Sequence, residues 1–184
     1  MMGMNRNTNP LAASQLSPSF MPGFGFGKRK GGAGPKGLKV EHRIGVQAPP
    51  ETLWTLIADL QAWPEWNPIY TRASGVLSIG APLELTLALP EQAPRHIEPV
   101  VVDWVPHEQL HWRTSVASGF GTAIRYIEID QVADHACIVS NGELFQGLLG
   151  PAAAKRVQRP LKKGFAAMGE ALKARAEAAW RGRA

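Results

Sequence analysis

One apolar stripe near the C-terminal end constrains this chain more than any other feature. Val157, Leu161, Phe165, Met168, Leu172 and Ala176 recur at spacings of four, four, three, four and four. That period predicts a helix over about 150–180 with one side that cannot stay in water. Pro151 suits its first turn. Pro160 falls inside the stripe and is expected to kink the helix or split it in two. A helix of this length needs a partner surface of matching length.

The residues before it supply one. The segment 38–46 (LKVEHRIGV) reads as a strand. Pro49 and Pro50 end it and begin a helix over about 50–59, with Leu53, Leu56, Ile57 and Leu60 along one side. AWPEWNP at 62–68 holds two prolines and predicts only a short helical turn. From 69 to 146 the pattern is strand and turn. LELTLAL at 83–89 alternates with Leu83, Leu85, Leu87 and Leu89 on one face. HIEPVVVDW at 96–104 and LHWRTSV at 110–116 flank a turn, and 122–130 and 136–145 flank another. The expected class is therefore α+β. About seven antiparallel strands curve around the long C-terminal helix, with two short helices after the first strand. A sheet curved over a helix leaves a space between them, where a ligand cavity is expected.

Composition narrows the classes. The chain has 184 residues and is 45% hydrophobic, enough for one core plus a tail. Cys137 is the only cysteine, which excludes an internal disulfide framework, and no Cys/His cluster suggests zinc. No cofactor is expected. No stretch approaches the ~20 apolar residues of a membrane span, and Pro10, Pro18 and Pro22 interrupt any apolar signal segment. The expectation is a protein of the cytoplasm.

The net charge of +5 is uneven. Residues 1–39 carry six cations and no acid, residues 40–154 hold five Arg against thirteen acids, and residues 155–184 hold nine Lys and Arg against Glu170 and Glu177. Residues 1–37 are Gly- and Pro-rich and read as a disordered basic tail, and 181–184 as a short C-terminal tail. The ligand domain is expected over 38–180. Gly23 to Gly27-Lys28 lacks both the spacing and the following Ser or Thr of a phosphate loop. Contact of the tail with nucleic acid or an anionic surface is a lesser expectation than a solubilising role.

The order strand, Pro-started helix, LIADLQAWPEWNP, run of strands, FQGLL and GFAAMGEALKARAE resembles the SRPBCC superfamily, also called START-like or helix-grip proteins. Within it the sequence is most similar to the polyketide cyclase/dehydrase and lipid-transport-like branch. The resemblance covers roughly 38–180 and implies a helix-grip fold with a hydrophobic cavity. The functions it implies range from lipid carriage to cyclisation and hydrolysis, so the fold alone does not choose among them.

Hairpin geometry yields a set of cavity residues. Across the turn at 105–109, Trp104 is set opposite Leu110, Val102 opposite Trp112 and Val100 opposite Thr114. Period two then puts His96 and Glu98 on that inward face. Across 131–135, Ile129 is set opposite Cys137, Ile127 opposite Val139, Arg125 opposite Asn141 and Ala123 opposite Glu143. The expected lining is Trp66, Leu85, Leu87, Val102, Trp112, Ile127, Val139, Phe165, Met168 and Leu172, with Arg125, Asn141 and Glu143 as its polar spot. Arg125 and Glu143 are expected to pair diagonally, because a lone buried charge costs several kcal/mol. Trp54 and Trp63 read as core. Cys137 reads as a small core residue.

Three functions fit. The first is binding or carriage of a lipid-like or aromatic molecule. The second is a cyclase, dehydratase or hydrolase acting on a polyketide-like substrate, with Arg125, Glu143, Glu98 and His96 as candidate catalytic groups. The third is an interaction or regulatory module using the basic tail. No nucleophile elbow or paired-carboxylate motif decides for an enzyme. Oligomeric state is not legible from sequence.

Overall fold

The computed structural model describes residues 37–182. The tail expected over 1–37 and the last residues of the chain therefore lie almost wholly outside the described residues. The elements are β1 (Leu38–Val46), α1 (Pro50–Ala58), a 3-10 turn (Leu60–Ala62), α2 (Trp63–Trp66), β2 (Tyr70–Gly75), β3 (Leu83–Leu87), β4 (Arg95–Ile97), β5 (Val100–Val105), β6 (Gln109–Val116), β7 (Gly121–Ala133), β8 (Ala136–Gln146) and α3 (Gly150–Arg181).

All strand pairs are antiparallel. Five strands form one sheet in the order β1-β8-β7-β6-β5, and three form a second, β2-β3-β4. The Pro82–Val100 bridge and the Leu83 N to Pro99 O bond at 2.8 Å join the two into one curved wall. Eight strands stand among the described residues, where the sequence predicted about seven. The extra one arises at Pro99, which has no N–H to give a ladder. The segment read as one strand over 96–104 becomes β4, paired to β3, and β5, paired to β6.

α3 lies in the wall's concavity. Leu161, Phe165, Met168, Leu172 and Ala176 are all buried, as the stripe requires. Pro160 does not split the helix, which runs unbroken from Gly150 to Arg181. The Lys173 ammonium donates to the Gly45 carbonyl at 2.7 Å, and Glu177 accepts from the Gln47 N–H at 2.9 Å. These bonds fix α3 to the end of β1. Arg175 meets Glu65 of α2 at 2.7 Å. No described helix is long and apolar enough to cross a membrane.

Candidate functional site

The space between wall and helix is not uniform. At the end holding Ile127, Val139, Met168 and Leu172 it is solid core, with each of these side chains buried. At the other end it opens into a cavity of about 460 Å³. Its apolar lining comes from Leu87, Trp112, Val116, Phe145, Val157, Leu161 and Phe165, and its polar lining from Tyr70, Arg95, Arg125, Glu143 and Arg156.

The short turn AWPEWNP builds one wall. Pro64 and Pro68 confine α2 to a single turn. The Asn67 side-chain oxygen then accepts from the backbone N–H of Ile69 and Tyr70 at 3.1 and 3.2 Å, turning the chain into β2. That places the Tyr70 ring against Trp63 at 5.2 Å and Trp112 at 6.0 Å. Trp63 anchors the group by donating its indole N–H to the Ile57 carbonyl at 3.1 Å.

Arg125 forms the inner end. Its guanidinium donates to the Tyr126 carbonyl, to the Gly142 carbonyl at 2.9 Å and to the Asn141 side-chain oxygen, and lies 3.3 Å from the Met168 sulfur. It also stacks over the Phe165 ring at 4.2 Å and faces Trp112 at 5.4 Å. The buried charge thus meets dipoles and π faces in place of an ion partner, while its Nε–H has no hydrogen-bond partner among the described residues. Glu143 sits directly opposite it across the β7–β8 ladder. No direct ion pair joins the two. Burial pushes the Glu143 carboxyl up to about 6, with Arg125 and then Arg95 pulling the other way. Glu143 is half-buried and lines the cavity. Burial likewise raises the Tyr70 hydroxyl.

The structure sorts the predicted residues. Leu87, Trp112, Arg125, Glu143 and Phe165 line the cavity, and Asn141 supports it through Arg125. Leu85, Ile127, Val139, Met168 and Leu172 are buried in the solid part, outside the cavity lining. Trp66 is buried against Trp63 with ring centroids 6.4 Å apart, also away from the lining.

Besides those six, which the cavity lining leaves out, three further residues are corrected as to face. His96, Glu98 and Val102 do not face the cavity. A β-bulge between Val101 and Asp103 adds a residue to β5 while Trp104 keeps its place opposite Leu110. Every position before the bulge is therefore turned over. Val101, fully buried, pairs with Trp112 in place of Val102, and Arg95 and Ile97 point inward. His96 and Glu98 are exposed and meet each other at 3.2 Å.

The β7–β8 register is also shifted by two from expectation. Ile129 faces Val139, Ile127 faces Asn141, and Ala123 faces Phe145. A shift of two leaves every side chain on its expected face, and Arg125 and Glu143 become direct instead of diagonal neighbours. Tyr70, Arg95 and Arg156 were missed. Burial pushes the Cys137 thiol up to about 11, so it is protonated near neutral pH. No group of described side chains is arranged to hold a metal ion.

Residues 37–177 match the family described as polyketide cyclase / dehydrase and lipid transport. Solved structures share the fold. A START superfamily protein from Mycobacterium smegmatis is 17% identical with a TM-score of 0.60, over 77% of this chain and 98% of that one. The Zhui aromatase/cyclase from a Streptomyces species is 15% identical with a TM-score of 0.62, over 76% and 93%. Norcoclaurine synthase from Thalictrum flavum, in complex with dopamine and hydroxybenzaldehyde, is 15% identical with a TM-score of 0.55, over 74% and 84%. No curated protein sequence matches this chain.

Proposed function

Because the chain belongs to the polyketide cyclase/dehydrase and lipid transport family, we propose that its cavity binds a hydrophobic small molecule, lipid-like or aromatic. The observation that carries this reading is the cavity of about 460 Å³ between the curved wall and α3, walled mainly by Leu87, Trp112, Val157, Leu161 and Phe165. That volume lies in the range of sites for compact organic ligands. Apolar surface left uncovered inside a fold is matched by an apolar occupant, which gains the transfer free energy the void lacks. Protein purified under gentle conditions should retain a copurifying compound in native mass spectrometry, or melt at a higher temperature with members of a lipid and polyphenol panel. An empty protein with no melting shift across the panel would sink the reading.

A second reading, catalysis on a polyketide-like or aromatic substrate, is favoured by one observation. Glu143, with its carboxyl near 6, shares the cavity with Arg125 and the Tyr70 hydroxyl. A carboxyl tuned close to neutral can take and return a proton, and a fixed guanidinium can stabilise an enolate oxygen. Holding a folded substrate in the same cavity would supply the rest. Glu143→Gln should then abolish turnover while ligand binding survives. Turnover equal to the parent's would remove Glu143 from the chemistry.

A further inference from the structure

The cavity carries a charge imbalance at its mouth. Arg95 on β4 and Arg156 on α3 line it from different walls, and both are exposed. Among the described residues neither has a hydrogen bond or ion-pair partner. Lys163, Lys173 and Arg175 on the same helix each hold a carboxylate. The lining holds three guanidinium groups, Arg95, Arg125 and Arg156, against the single carboxylate of Glu143. Arg125 is already committed to backbone carbonyls and Asn141, and Glu143 is the one lining carboxylate, whose charge Arg125 and Arg95 both face, so the lining keeps an excess of positive charge.

The start of α3 adds to this. Leu149, Ala152 and Ala153 bring its first turn to the cavity lining, and that turn has no acidic residue and no side-chain cap. The positive end of the helix dipole adds potential of the same sign on that side. An apolar molecule without charge would leave Arg95 and Arg156 to water alone.

Resting on the binding reading above, we propose that the occupant is an amphiphile with an acidic group, a carboxylate, sulfonate or phosphate. That group is seated at the mouth between Arg95 and Arg156, with the apolar body against Trp112 and Leu161. Arginine suits this role because its planar fork meets an oxyanion with two parallel bonds.

The test uses two fluorescent probes with the same aromatic skeleton, neutral N-phenyl-1-naphthylamine and its sulfonated counterpart 1-anilinonaphthalene-8-sulfonate. The parent protein should bind the sulfonated probe at least about fivefold more tightly at low salt. The preference should vanish in the double variant Arg95→Gln, Arg156→Gln, and persist in Arg95→Lys, Arg156→Lys. The neutral probe should bind all three proteins alike, which shows that the cavity is intact. Equal affinity of the parent for both probes, or a preference that survives the Gln pair, would overturn the acidic group and leave the hydrophobic cavity standing. Failure of both probes to bind would overturn the cavity reading and this inference together.

Discussion

Asn141 on the sheet donates its side-chain N–H to the backbone oxygen of Phe165 on α3 at 2.7 Å. The same side chain accepts from Arg125 through its oxygen. One buried amide therefore ties the inner end of the cavity to the helix that covers it. Both its donor and its acceptor are used, so it satisfies two groups that have no access to water.

Asn141→Leu should destabilise the protein by about 2–3 kcal/mol, because it strands a buried guanidinium N–H and removes the bond between sheet and helix. Urea unfolding would show this as a lower midpoint at an unchanged slope. A midpoint equal to the parent's would mean that the link carries no net stability.

Glu143 predicts a pH dependence of definite sign. Burial raises its carboxyl to about 6 in the folded protein, above its ordinary value of 4.5. The folded state thus holds the proton more tightly than the unfolded chain. The cost of burying the charge is absent below about pH 4.5 and fully present above about pH 6, so this group's contribution to stability falls as pH rises through that window. Glu143→Gln should exceed the parent in stability by about 1–2 kcal/mol at pH 8, with the advantage shrinking toward pH 4.5. The comparison must be between the two proteins, because Glu41, Glu91 and Glu177 have lowered pKa values and act in the opposite direction. An advantage of the same size at pH 5 and pH 8 would contradict the assignment.

Val157→Trp tests the void directly. Val157 is half-buried on α3 and lines the cavity. The larger side chain has room there and should occupy space that a ligand would use. Binding of N-phenyl-1-naphthylamine should be lost while stability changes by less than about 1 kcal/mol. Undiminished probe binding would place the ligand elsewhere.

Gly142→Ala tests the tightness of the outer face. An added Cβ would overlap the Tyr126 ring and hydroxyl and come within 2.7 Å of the Val40 carbonyl oxygen. The Tyr126 hydroxyl is held by a 2.7 Å bond to Glu41, and Val40 belongs to the β1 backbone, so neither can simply step aside. A loss of about 3 kcal/mol is expected in thermal or denaturant unfolding. A variant as stable as the parent would show that β1 can shift on β8.

Periodicity made the architecture legible. The stripe from Leu161 to Ala176 demanded a covered helix, and the alternation of Leu83, Leu85 and Leu87 marked a strand with one buried face. Arg125, Asn141 and Glu143 came together because a register error of two does not move a side chain to the other face. His96, Glu98 and Val102 failed for the opposite reason. The bulge after Val101 is an offset of one, and nothing in the run of three valines marks it. Arg95 and Arg156 were hidden differently. They lie far apart along the chain, and only the placement of β4 and α3 around one void makes them line the same cavity.

The pairing of β1 with β8 also fixes an order of events during synthesis. Leu38 finds its partner at Phe145, and α3 makes its closest fit on β1 and comes after both. As the chain leaves the ribosome, β1 waits for more than half of the protein before it can join a sheet. The concave face that becomes the cavity stays uncovered until α3 has emerged. Closing so long a loop costs entropy before any contact returns it, so the nascent chain passes through a stage with its concave face exposed. A ligand or chaperone that meets the chain at that stage has access to walls that α3 later covers.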